Sequence, residues 1–142
     1  KCRANFNTTY ESGEITAVSY DENGREINRY SLQTAGKETA LQVRPEEKKV
    51  KTEGLAFIQL QYTDSKGIWK PMEKHNIKVT VENGVLKGLG SPAPYVKGNY
   101  TEDTVATYYG EAMAVIQADG NGPVKVTVAD EERFYVAEIP CE

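Results

Sequence analysis

Histidine, tryptophan and cysteine are nearly missing from this chain of 142 residues, which has one His, one Trp and two Cys. With His75 the only imidazole and Cys2 and Cys141 almost at opposite ends, a zinc site built from nitrogen and sulfur ligands cannot be assembled. Basic residues are in deficit, 17 Lys and Arg against 21 Asp and Glu, for a net charge of −4. Phosphate binding draws on clustered cations that release counterions, so no nucleic-acid partner is expected. The nearest basic run, KKVK at 48–51, follows Glu46 and Glu47 and reads as a solvated turn. No apolar run approaches the roughly 20 residues that would cross a bilayer, and no membrane association is expected. The chain opens on Lys1 and is expected to be a piece of a longer protein, so the lack of a leader leaves its compartment open.

Catalytic signatures are equally scarce. GLGSPA (88–93) lacks both the third glycine of a dinucleotide fingerprint and the lysine of a phosphate loop, and no GxSxG or metalloprotease pattern occurs. His75 precedes NIKVTVE in a stretch rich in Lys, Glu and Pro and is expected to be a surface-loop histidine rather than a base or ligand. Glycoside cleavage needs two carboxylates flanking a sugar ring. Glu11, Asp21, Glu22, Glu46, Glu47, Asp64, Asp119, Asp130, Glu131 and Glu132, however, all fall in turns or at strand ends, where acidic residues are ordinary. No catalytic residue, metal or cofactor is therefore expected. Asn7-Thr8-Thr9 and Asn99-Tyr100-Thr101 match the glycosylation acceptor pattern, but matches of that length arise readily by chance. Two cysteines are too few to define a disulfide framework. They are read as separate thiols, with pairing left open to the case in which the first and last strands are neighbours.

What the sequence does have is period-two alternation in short runs rich in β-branched and aromatic residues, the pattern of antiparallel strands. CRANFNTTY (2–10), EITAVSY (14–20) and REINRYSLQT (25–34) predict a three-stranded meander, with Asn23-Gly24 predicting a type I′ turn. A patternless AGKETA (35–40) marks a boundary, which divides the chain into 1–36 and 37–142. Beyond it, strands are predicted over 40–46, 54–63, 76–82, a short segment after Asn83-Gly84 ending at GLG, 103–108, 111–118, 124–130 and 134–140. Strands of five to eight residues with turns about every ten argue for an all-β, immunoglobulin-like antiparallel β-sandwich, without the antibody-type Cys and Trp spacing.

Aromatic residues are the remaining functional handle. Trp69, Tyr95, Tyr100, Tyr108 and Tyr109 lie in or beside loops. Exposed rings stack on the apolar faces of flat ligands and sugars, whereas amphipathic tyrosines also cover the rims of small cores. Rim covering is the first expectation; a carbohydrate platform built from Trp69, Tyr95, Tyr100 and Tyr108 is the second.

Two stretches carry a family resemblance. YESGEITAVSYDENGREINRYSLQTAG (10–36) resembles the end of an accessory domain that follows the barrel in many bacterial glycoside hydrolase family 2 enzymes. The shared pattern is Tyr-Glu-x-Gly-x-hydrophobic-x-Ala-Val-x-Tyr, then Asn-Gly, then Thr-Ala-Gly. Further on, Ala56-Phe57-Ile58, Gly88-Leu89-Gly90-Ser91 and Tyr109-Gly110-Glu111-Ala112-Met113-Ala114-Val115 are similar to the C-terminal immunoglobulin-like domain of β-galactosidase-type members. Together these cover nearly the whole chain; the ending FYVAEIPCE matches no family feature. The resemblance implies a bacterial C-terminal accessory region, cytoplasmic or secreted with its parent. Residues 1–36 would be the last strands of a preceding β-rich domain and 37–142 the immunoglobulin-like domain. The catalytic acid and nucleophile would be two glutamates on a (β/α)8 barrel upstream of Lys1, and the implied partners are that barrel and its neighbouring domains. On this reading the glycine- and proline-rich 88–118 is mostly a structural crossover.

Overall fold

A computed structural model describes residues 3–95 and 98–142. Its described residues form ten β-strands and no helix. The chain divides into two compact units, Lys1–Ala35 and Gly36–Glu142.

In the first unit β1 (Glu14–Tyr20) and β2 (Glu26–Gln33) form an antiparallel hairpin that pairs Ile15 with Leu32 and Ala17 with Tyr30. Its turn differs from the type I′ expected at Asn23-Gly24. Only Gly24 takes positive φ (77°), and its N–H donates to the Asp21 carbonyl at 3.0 Å. The Asp21 carboxylate accepts the N–H groups of Asn23 and Arg25, each at 2.8 Å, which selects a type I turn followed by a left-handed glycine. The third strand predicted over 2–10 is not formed: residues 3–10 join no ladder, and Cys2 lies outside the described residues. Alternation alone makes no strand unless the chain also pairs with an edge, and residues 3–10 pair with neither edge of the hairpin. The chain is tied instead to Thr34, whose Oγ1 accepts from Gly13 N at 3.1 Å and lies 3.2 Å from the Tyr10 hydroxyl.

The second unit is a sandwich of two four-stranded antiparallel sheets. One has the order β3 (Ala40–Pro45), β4 (Leu55–Thr63), β8 (Glu111–Ala118), β6 (Gly84–Gly90). The other has the order β10 (Phe134–Ile139), β9 (Val124–Ala129), β5 (Asn76–Glu82), β7 (Thr104–Ala106). Every connection from β4 to β9 passes from one sheet to the other, the immunoglobulin-like arrangement that the strand rhythm predicted. Alternate residues meet between the sheets: Ile58, Leu60 and Tyr62 of β4 and Ile116 of β8 against Ile77 and Val79 of β5 and Val124, Val126 and Val128 of β9. Register matches large to small, with Ile58 beside Ala114 and Leu60 beside Ala112, so two adjacent strands fill the layer without collision. In β4 the inward set is Ala56, Ile58, Leu60 and Tyr62, leaving Leu55 and Phe57 on the outer face.

The KKVK segment also departs from a solvated turn. Val50 is buried, donates its N–H to the Pro140 carbonyl and accepts from Glu142 N, both at 2.9 Å. A single apolar residue in a charged run is enough to anchor the chain's end against the core. Cys141 faces the same bridge, its Sγ 3.8 Å from Thr52 Oγ1, while the question of its pairing with Cys2 falls outside the described residues.

Candidate functional site

Three of the four aromatic residues singled out from the sequence meet in one place. Tyr95, Tyr100 and Tyr108 line a cleft of about 610 Å³ between the segments 91–95 and 99–102 and the β7 edge, together with Asn76, Asn99 and Glu102. Tyr95 and Tyr100 are exposed and Tyr108 is half-buried. Tyr100 is nevertheless held: its carbonyl accepts the Leu89 N–H at 2.8 Å, and its ring lies over Gly90. A Cβ at residue 90 would stand 2.7 Å from the Tyr100 ring, so glycine there is a condition of the ring's position. Asn99 Oδ1 accepts the Thr101 N–H at 2.9 Å and fixes the backbone on either side of Tyr100.

Trp69 is placed elsewhere and has a different task. Its Nε1–H donates to the Tyr109 carbonyl at 2.9 Å, clamping the turn Tyr108-Tyr109-Gly110-Glu111. That turn carries positive φ at Tyr109 (50°) and Gly110 (71°) and closes by reciprocal bonds between Tyr108 and Glu111, a type I′ hairpin. Gly110 is packed so closely that a Cβ would meet the Lys70 carbonyl at 2.6 Å. Tyr108 and Tyr109 pack edge to face, centroids 4.5 Å apart at 69°, so Tyr108 is part of a corner rather than of a flat shelf. Tyr109-Gly110 lacks the Asn or Asp that ordinarily signals a type I′ turn, so only its glycine marked it in the sequence.

A second concavity of about 440 Å³ lies on the outer face of the β3-β4-β8-β6 sheet, bounded by Gly88, Gly90, Pro92, Tyr100, Met113 and Val115. Beside it Leu55, Phe57, Val85 and Met113 are exposed. Each of the two sandwich clefts is lined by one carboxylate, Glu102 in the first and Glu111 in the second, and glycoside cleavage requires two.

Sequence reasoning missed a polar cluster around His75. This histidine is half-buried rather than free on a loop: its ring packs on Tyr62, centroids 4.5 Å apart, and its Nε2–H donates to Glu73 Oε2 at 2.9 Å. Glu73 Oε1 accepts from Thr39 Oγ1 and pairs with Lys70, both at 3.0 Å. The bonds from His75, Lys70 and Thr39, opposed by partial burial, bring the Glu73 carboxyl down to about 2. Burial first, and then its bond to Asp130 Oδ2 at 2.9 Å, raise the Tyr62 phenol well above the ordinary tyrosine range. Asp64 is buried too and accepts the N–H of Gly36, Lys66 and Ile68, each at 2.8 Å. Led by the Gly36 bond, these hold its carboxyl below the usual value. Partners distant in sequence make this cluster, and only the 64–68 turn, D-S-K-G, was signalled locally. These groups bind each other and the backbone.

The sequence pattern of the family described as Glycoside hydrolase family 2 C-terminal domain 5 matches residues 40–133. The chain belongs to this family. A β-galactosidase of Bacteroides ovatus is 27% identical over 138 residues, covering 94% of this chain and 16% of that protein. Among solved structures, a glycosyl hydrolase family 2 member from Bacteroides cellulosilyticus superposes with a TM-score of 0.87 at 22% identity, over 95% of this chain and 18% of that one. A β-glycosidase from Bacteroides vulgatus gives 0.79 at 19% identity, over 92% and 18% respectively. These two structures establish the shared fold. The chain thus spans less than a fifth of the length of these proteins, and what it shares with them is a C-terminal domain. It is a C-terminal accessory domain of glycoside hydrolase family 2 type, as the family resemblance predicted.

Proposed function

We propose that this chain is the C-terminal part of a larger glycoside hydrolase family 2 enzyme that acts on β-galactosides, and that its task there is to pack against and position neighbouring domains. The observation that carries this reading is the apolar surface left uncovered on the β1–β2 hairpin. Ile15, Tyr30 and Leu32 share one face and are 57%, 67% and 57% exposed. A two-stranded hairpin is marginal by itself in water, so such a face calls for further strands or a domain against it. Residues 1–36 are accordingly assigned to the end of a preceding β-rich domain and 37–142 to the immunoglobulin-like domain. The exposed Leu55, Phe57, Val85 and Met113 supply the sandwich with packing surface of its own. The partners are the catalytic barrel, which would carry the two glutamates, and its neighbouring domains. The galactoside preference is taken from the name of the Bacteroides ovatus relative.

The experiment is the double substitution Tyr30→Ser with Leu32→Ser, made both in the full-length enzyme and in this chain alone. Packing predicts a lower melting temperature and yield for the full-length enzyme, an unchanged kcat per folded molecule, and little effect on the isolated chain. An unchanged full-length enzyme, or an equal loss in both, overturns the reading. The tyrosine-lined cleft favours a second role for the same domain, in holding sugar.

A further inference from the structure

We infer that the cleft between the segments 91–95 and 99–102 and the β7 edge binds a neutral oligosaccharide, with Tyr100 as its principal stacking surface. The inference rests on the accessory-domain reading only for its choice of sugars as probes. The cleft itself is a matter of geometry. At about 610 Å³ it falls within the range of small-ligand sites, roughly 300–1,000 Å³. A pyranose ring has C–H faces that pack on aromatic rings and a rim of hydroxyls that needs donors and acceptors. Tyr95, Tyr100 and Tyr108 offer the first, and Asn76, Asn99 and Glu102 the second.

Tyr100 combines exposure with restraint, which is the property a stacking residue needs. It is 62% exposed, yet its carbonyl is fixed by Leu89 N and its ring rests on Gly90. A ring already held in place loses little conformational entropy when a ligand covers it. Tyr108 is steadied from behind by its edge-to-face contact with Tyr109. Charge sets the ligand class: among the described residues the cleft lining has one cation, Lys74, and one anion, Glu102, while nearby Lys78 is paired with Asp103 at 3.3 Å. These described groups set up no field of one sign to draw in a strongly acidic or basic ligand. An extended peptide adding to the β7 edge is disfavoured because that strand offers only three residues of backbone.

The test is a titration of this chain with neutral galacto-, gluco- and xylo-oligosaccharides, followed by amide and side-chain NMR shifts. The expected result is saturable shifts confined to Tyr95, Tyr100, Tyr108 and Asn76 with at least one of them. Tyr100→Ala should weaken that binding by about tenfold or more. Tyr100→Leu, which keeps the apolar contact on Gly90, should weaken it comparably because the aromatic face is gone. Gly90→Ala should weaken it by displacing the ring, and Phe134→Ser, at an exposed residue of β10 outside the cleft lining, should leave it unchanged. A spectrum outside the cleft that matches the unsubstituted chain certifies that each variant is folded. No shift with any of these sugars at millimolar concentration overturns the inference. So do undiminished binding by both Tyr100 variants, or binding only of acidic saccharides or peptides. Because no parent enzyme enters this assay, its failure leaves the packing proposal standing, and failure of the packing experiment leaves this one standing.

Discussion

Replacing Glu73 with glutamine removes one charge from the His75 cluster with almost no change of shape, and its effect depends on pH in a defined direction. Glu73 joins two segments of the sandwich end, Thr39 before β3 and the β4–β5 connection, where it meets Lys70 and His75. In the fold its carboxyl stays ionised down to about 2, against 4.5 ordinarily. A carboxylate whose folded value is depressed stabilises the fold fully above its unfolded value and loses that contribution as pH falls through the folded one. The window is therefore about 4.5 down to about 2. Taken at face value the depression corresponds to about 3 kcal/mol at neutral pH. A quarter of the Glu73 side chain meets solvent, and screening reduces the figure to about 2 kcal/mol. Glutamine keeps an acceptor for Thr39 but leaves Lys70, only 14% exposed, without its opposite charge. Urea unfolding at pH 7 should show Glu73→Gln less stable by about 2 kcal/mol, with an unchanged m-value. Near pH 2.5 most of the difference should be gone, because the carboxyl of the unfolded chain is by then protonated and the folded one is approaching its own titration at about 2. A difference that is equal at both pH values, or absent at pH 7, refutes the assignment.

Tyr62→Phe should cost about 1–2 kcal/mol in denaturant unfolding, since it leaves Asp130 without a buried hydroxyl donor. In the wild type, the ultraviolet signature of the Tyr62 phenolate should emerge only as the protein unfolds in alkali. Ile116→Ala, at a fully buried site between the sheets, should lose about 3–4 kcal/mol, measured the same way. Gly110→Ala places a Cβ 2.6 Å from the Lys70 carbonyl at a left-handed position and should lower the melting temperature more than Gly24→Ala, where the added atom meets nothing within 4 Å. Asp64→Ala should abolish the hydrogen-exchange protection of the Gly36, Lys66 and Ile68 amides, while leaving that of the β9 amides nearly unchanged.

Much of the architecture is local information. Alternation in NIKVTVE, VKVTVAD and EAMAVIQA places Ile77 and Val79, Val126 and Val128, and Ala112, Ala114 and Ile116 on one face of their strands. A pleated strand has no other way to segregate apolar side chains. The sandwich follows because two such faces must cover each other. Local pattern failed where a choice depended on something distant. Residues 3–10 alternate as well as many true strands do, yet they pair with neither edge of the β1–β2 hairpin and form none. Val50 sits in a charged run and is nevertheless core, because the chain's last residues bond to it.

The same division applies to the candidate site. That tyrosines gather around the crossover could be read from the order of residues. That Trp69 secures a turn while Tyr95, Tyr100 and Tyr108 share a cleft could not, since it depends on which loops the two sheets bring together. The cluster of Thr39, Lys70, Glu73 and His75 was likewise hidden: each residue is an ordinary polar group until β3, β4 and β5 converge. Sequence alone determined the fold class, because burial of alternating faces is a one-dimensional signal. Only tertiary structure decided which side chains act together, because electrostatics and stacking depend on separations of a few ångströms between residues far apart along the chain.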